Sequence, residues 1–154
     1  MIAEQVCNIH NQILRLPNFA VEAFVVAAFE FTEAPMIPEL TVRFIEHTYN
    51  DDIKGEFNFT DPSHPRIDII FRSPLEMMKT LFHEIKHYQD WLTRQHYFSA
   101  YDAEEAAEDY ADECMEIMFS NTEVFYEDFE VVSDSLRDQM HEAYHLMCHM
   151  MRAA

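Results

Sequence analysis

Glycine is almost missing from this 154-residue chain, and Gly55 is the only one. A fold without glycine has few cheap left-handed turns. That excludes a many-turned β architecture and favours a mostly helical one, in keeping with the abundant Ala, Met, Leu and Glu. Positive charge is scarce too: ten Lys and Arg stand against 29 Asp and Glu, for a formal net charge of −19. Such a chain repels phosphate backbones and anionic headgroups, which argues against nucleic acid and membranes as direct partners. The three cysteines, Cys7, Cys114 and Cys148, form no Cys-x-x-Cys pair. They read as buried thiols in a reducing compartment rather than as a zinc knuckle or redox site. No apolar run approaches the roughly eighteen residues of a membrane span, and "MIAEQVCNIH" lacks both a basic start and a sustained apolar stretch. The expectation is a single cytoplasmic domain over residues 1–154.

The chain divides into recognisable elements. Ile2, Val6, Ile9, Ile13 and Leu14 recur at helical spacing and predict a first helix over residues 2–15, ended by Pro17. "AVEAFVVAAFEF" is apolar nearly all round and predicts a buried helix over 18–31. Three short β-branched or aromatic runs follow, "TVRFIEHTY" (41–49), "GEFNF" (55–59) and "RIDIIFR" (66–72), which predict a small three-stranded sheet. Ser73, Pro74 and Glu76 make an N-cap, first-turn proline and capping box, so a helix begins there and carries an apolar stripe to Leu92. Asp102 with Glu105 repeats the cap signature for a helix to about Phe119, residues 121–131 suit a loop or short helix, and a last helix runs from about Ser133 to Met151. The predicted class is α+β, a small sheet packed on the helix of residues 74–92, with further helices closing the core.

That helix carries His83-Glu84-Ile85-Lys86-His87. Histidines four apart stand on one helix face and can converge on one Zn²⁺, while the glutamate between them reaches a water beside the metal. Chance alone would produce roughly 0.06 such pentapeptides in a chain of this composition. His83 and His87 are therefore candidate metal ligands and Glu84 a candidate general base. A catalytic zinc needs a third protein ligand, and the next helix offers Glu104, Glu105 and Glu108 in "DAEEAAEDYA".

Together these segments resemble the thermolysin-like metallopeptidases, the gluzincins. In that family a His-Glu-x-x-His helix is followed by a helix bearing Glu-x-x-Ala-(Asp/Asn)-x-(Phe/Tyr)-Ala. Glu104-Glu105-Ala106-Ala107-Glu108-Asp109-Tyr110-Ala111 is similar, with glutamate rather than aspartate at the fifth place. The resemblance spans about residues 66–111. It implies a minimal zincin-like fold whose edge strand lines the cleft, here assigned to "RIDIIFR". It also implies His83, His87 and Glu104 as zinc ligands, Glu108 as support for a ligand histidine, and hydrolysis of a peptide bond in a protein or peptide substrate. Small size also suits a phage or viral protein.

A second pentapeptide of the same kind, His141-Glu142-Ala143-Tyr144-His145, lies near the chain end and is followed by Cys148 and His149. It reads as a polar helix face or as an auxiliary metal site. It also opens a different class. Glu84-x-x-His87 and Glu142-x-x-His145 suit a ferritin-like di-iron bundle, with Glu22 or Glu30 and Glu104 or Glu108 completing the ligands. In either class Tyr110 or Tyr144 would be a candidate hydrogen-bond donor near the metal. A third class is a non-catalytic binding or particle component that keeps the fold. In it Met115, Ile117, Met118 and Phe119, or Met147, Met150 and Met151, would form a partner surface rather than core. Glu84 argues for chemistry, because a structural zinc needs no base.

Overall fold

The computed structural model describes residues 7–47, 52–119 and 134–153. The segment 121–131, expected as loop or short helix, lies outside the described residues, as do residues 2–6.

Where the sequence predicts a first helix, the described part is a strand, β1 (Asn8–Asn11), followed by a turn. Asparagine explains the difference. Asn11 Oδ1 accepts from the Ile13 amide at 2.9 Å and its Nδ2 donates to the Leu16 carbonyl at 2.6 Å, which closes a turn that competes with helix. The apolar residues then part company, with Ile13 buried and Leu14 exposed.

Helix α1 (Asn18–Phe31) is the apolar run, with Ala20, Phe24, Val25 and Ala28 fully buried. Strands β2 (Thr41–Ile45), β3 (Gly55–Asn58) and β4 (Arg66–Ile70) follow, then helices α2 (Pro74–Thr93), α3 (Ala100–Phe119) and α4 (Asp134–Ala153). The fold is α+β, as expected, but β1 makes the sheet four-stranded, in the order β1-β2-β4-β3. β1, β2 and β4 are parallel, and β3 runs antiparallel to β4 as an edge strand. "RIDIIFR" is therefore interior over residues 66–70, paired on both sides. It lacks the free edge expected of it. Ile67, Ile69, Val42 and Phe44 face the helices. Asp68, on the other face, is held by Arg43 (2.8 and 2.9 Å) and Arg66 (3.1 Å).

α2 starts as its cap predicts, with Ser73 Oγ accepting from the Glu76 amide and Pro74 at the first position. It ends on Arg94, whose φ of 56° is left-handed and strained for a residue with a Cβ. For α3 the expected cap is displaced. Ser99 Oγ accepts from the Asp102 amide, so Ser99 caps, the helix starts at Ala100, and Asp102 becomes a first-turn acid beside the positive end of the helix.

The buried side chains form one continuous cluster drawn from sheet and helices. Ile117, Met118 and Met147 belong to it, and Met115, Met150 and Met151 pack against it, whereas Phe119 of the same stretch is 48% exposed. Cys7 and Cys114 are buried, as expected, and Cys148 is half-buried. No helix among the described residues is long and apolar enough to cross a membrane.

Candidate metal centre

α2 is flanked by α3 on one side and β3 on the other, and a cleft of about 1190 Å³ opens over it. Its lining takes Gly55, Glu56 and Phe57 from β3, His83, Glu84 and His87 from α2, and Glu104 and Glu108 from α3. No residue of α4 lines it. The one glycine explains how the edge strand comes so near. A Cβ at Gly55 would lie 2.5 Å from Thr80 Cγ2, 3.0 Å from the Asp68 carbonyl oxygen and 3.3 Å from Glu84 Cγ. Any other residue would push β3 away from α2 and from Glu84.

His83 and His87 stand one helical turn apart with ring centroids 5.0 Å apart. Both meet Glu104: His83 Nε2 lies 3.1 Å from Oε2 and His87 Nε2 lies 2.8 Å from Oε1. Among the described residues, His83, His87 and Glu104 are the one group whose ligand atoms all lie within 4.8 Å of one another. For tetrahedral zinc with bonds of about 2.0–2.1 Å, neighbouring ligand atoms stand roughly 3.3 Å apart, close to the 3.1 and 2.8 Å that separate the two histidines from Glu104.

Two further observations bear on the fit. His87 Nε2 is buried and lies 2.8 Å from Glu104 Oε1, its nearest charged partner. Burial pushes the His87 imidazole below its usual value, against the pull of Glu104, which favours the neutral form that binds metals. Glu84, in turn, is 5% exposed and its Oε2 makes no hydrogen bond. Burial, with the charges of Glu104, Glu56 and Asp68, raises its carboxyl to about 8. A cation between the imidazoles would reverse that balance. The residues present thus fit a divalent ion with nitrogen and oxygen ligands.

The outer side of His83 is built as well. Its Nδ1 lies 3.2 Å from Glu108 Oε2. Glu108 also accepts from Lys79 Nζ at 2.8 Å, and the same ammonium reaches Asp112 at 3.0 Å. The Lys79 hydrogen bond and charge, together with His83, hold the Glu108 carboxyl below its usual range against partial burial. With Nδ1 donating to Glu108, the lone pair of a neutral His83 sits on Nε2, toward Glu104.

The candidate site residues of the two helices that follow the sheet fall as follows. His83, Glu84, His87 and Glu104 meet, Glu108 supports His83, and Glu105 is exposed outside the cleft. Helical phase separates the three glutamates: 104 and 108 share a face, whereas 105 is turned about 100° away. The second pentapeptide assembles nothing comparable. His141 bonds to the Met118 carbonyl, while Glu142 and His145 are exposed. Glu142 and His145 therefore do not join Glu84 and His87, and the di-iron ligand set is not brought together. Tyr110 packs under Lys86, and neither it nor Tyr144 lines the cleft.

Sequence reading missed several contributors. Lys79 was readable as the residue four before His83, opposite two acids four apart on the next helix. Tyr97, which lines the cleft and donates to Asp90 at 2.7 Å, carried no signal. Nor did the grouping of Phe57, Phe59 and Trp91, which depends on how β3 lies on α2. Compared with models of known protein families, with curated proteins and with solved structures, the chain finds no match in any of the three.

Proposed function

We propose that this protein is a zinc-dependent metallopeptidase with a minimal zincin-like arrangement of the gluzincin kind. The observation that carries the reading is the convergence of His83, His87 and Glu104 beside a buried Glu84. The antiparallel edge strand lining the cleft supports it, with β3 in the place first given to "RIDIIFR".

His83, His87 and Glu104 would hold the ion. Bound there, zinc supplies Lewis acidity, which lowers the pKa of water toward neutrality and polarises a carbonyl. Glu108, anchored by Lys79, orients the His83 ring and keeps its Nε2 lone pair turned inward. The free edge of β3 receives an extended polypeptide by strand addition, which aligns the scissile carbonyl with the three ligands. Glu84 takes a proton from the attacking water as the carbon–oxygen bond forms. It delivers that proton to the departing amine nitrogen as the carbon–nitrogen bond breaks. Burial keeps bulk water from this carboxylate.

Elemental analysis of the purified protein tests the reading. The expected result is about one zinc per chain, lost in Glu104→Ala and retained in Glu84→Gln and Glu142→Ala, with peptide hydrolysis abolished in Glu84→Gln. Zinc retained by a parent that cleaves no peptide would leave a non-catalytic component of the same fold, and metal lost with Glu142 would restore the di-iron class.

A further inference from the structure

The cleft has two unlike ends on either side of Glu84. Toward the C-terminal end of α2, Phe57, Phe59 and Trp91 form a continuous aromatic wall. Phe57 and Phe59 stack at 5.5 Å between ring centroids, and Trp91 lies 5.8 Å from Phe57 and 6.4 Å from Phe59. Phe59 is 53% exposed, so its ring is available to a ligand. Toward the N-terminal end of α2 the lining is acidic, with Asp52, Glu56 and Glu76 against Lys54. Lys79, also there, is tied to Glu108 and Asp112. β3 joins the two ends, since among the described residues it pairs only with β4, and it lines the cleft from Gly55 to Phe57.

We infer that this cleft takes an extended segment of another protein with a bulky apolar side chain on one side of the reacting bond and a basic residue on the other. The apolar side chain rests on Phe59 and Trp91, and the basic one meets Glu76 and its acidic neighbours. Charge complementarity selects the occupant. A chain of net charge −19 draws cationic segments and repels both acidic ones and a second copy of itself. Aromatic faces add apolar area at low entropic cost. This assignment rests on the hydrolase reading only in naming the bond between the two side chains as the one that reacts.

Trp91 is the chain's single tryptophan and stands in the wall itself, so its fluorescence reports binding without any need for turnover. The probes are ten-residue peptides without tryptophan, carrying Phe or Ala on one side and Lys or Glu on the other side of a central Ala-Ala bond, in both orders. They are titrated into zinc-loaded Glu84→Gln. In one order the Phe/Lys peptide should bind about tenfold tighter than Phe/Glu or Ala/Lys. Phe59→Ala should erase the preference for Phe over Ala, and Glu76→Lys should invert the preference for Lys over Glu; both positions are exposed enough to change without loss of fold. Equal binding of all probes, no binding, or preferences that survive both substitutions overturn the inference. So does a fluorescence change that follows protein concentration, the mark of a second copy in the cleft. Cleavage by the parent separates the two readings. Cleavage without these preferences overturns this inference and keeps the peptidase, whereas preferences without cleavage keep this inference and overturn the peptidase.

Discussion

Lys79 stands one turn before His83 and takes no place among the three proposed ligands, yet it pairs with Glu108, the carboxylate beside the His83 ring. Supports of this sort commonly change metal affinity by about 10–100-fold. Lys79→Met is expected to weaken zinc binding by about tenfold in a chelator competition with the helical circular dichroism unchanged, and Lys79→Arg to restore most of it. Equal affinity in all three proteins would make Lys79 a surface ion pair only. Glu84 makes a different prediction, for metal-free protein. Its carboxyl is raised from 4.5 to about 8, so between those values the folded chain holds a proton that the unfolded chain has released. Stability owed to this group is therefore whole below pH 4.5 and falls as pH rises toward 8. In denaturant titrations Glu84→Gln should lose that component: the stability difference between variant and parent should move in the variant's favour from pH 5 to pH 8. A difference that is flat with pH would show Glu84 to be solvated. Most of this site was legible residue by residue, because His83, Glu84 and His87 are fixed by one helix, and helical phase narrows three glutamates to Glu104 and Glu108. What was not legible is the pairing of each with a distant partner, since Lys79 with Glu108 and Tyr97 with Asp90 depend on packing that no local pattern encodes.

At the scale of elements, the same division holds between local and non-local signals. The cap of α2 was correct because Ser73, Pro74 and Glu76 lie within one turn. β1 was missed because its helical spacing of apolar residues is real, and only pairing with β2 together with the Asn11 turn overrides it. The edge strand was misassigned for a related reason: the alternation of "RIDIIFR" reports its two faces, whereas its pairing with β2 on one side and β3 on the other is non-local. Gly55 shows what the sequence did offer. A lone glycine in a chain this helical marks a close approach, here of β3 to α2. Gly55→Ala is expected to lower stability by about 1–3 kcal/mol through overpacking against Thr80 and the Asp68 backbone. Thr80→Ala in the same chain removes the nearest atom, so thermal melts of the two single variants and the double variant should show positive coupling. Additive effects would mean that the strand and helix do not press on each other at this point.

At the scale of the whole molecule, the excess of acids sets terms for everything above. Folding brings 29 carboxylates and only ten cationic side chains into one compact volume, so the native state repels itself more than the unfolded chain does. Among the described residues, Arg43 pairs with Asp68 on the sheet and Lys79 with Glu108 beside His83. Added salt screens repulsion between exposed charges over a distance of about 10 Å at 0.1 M and 3 Å at 1 M. The melting temperature of metal-free protein should therefore rise by several degrees between about 0.02 and 0.5 M sodium chloride. Zinc affinity should move the opposite way over the same range, because the negative field that destabilises the fold also draws the cation in. A melting temperature that falls with salt would mean that attractive pairs outweigh the net charge. The two slopes together distinguish a molecule that tolerates its acidity from one whose acidity is matched to a cation: if Lys79→Met, which keeps His83, His87 and Glu104, lowers zinc affinity throughout and leaves its salt slope nearly unchanged, the long-range field and the local support act separately, and the charge of the chain serves the site as well as the surface.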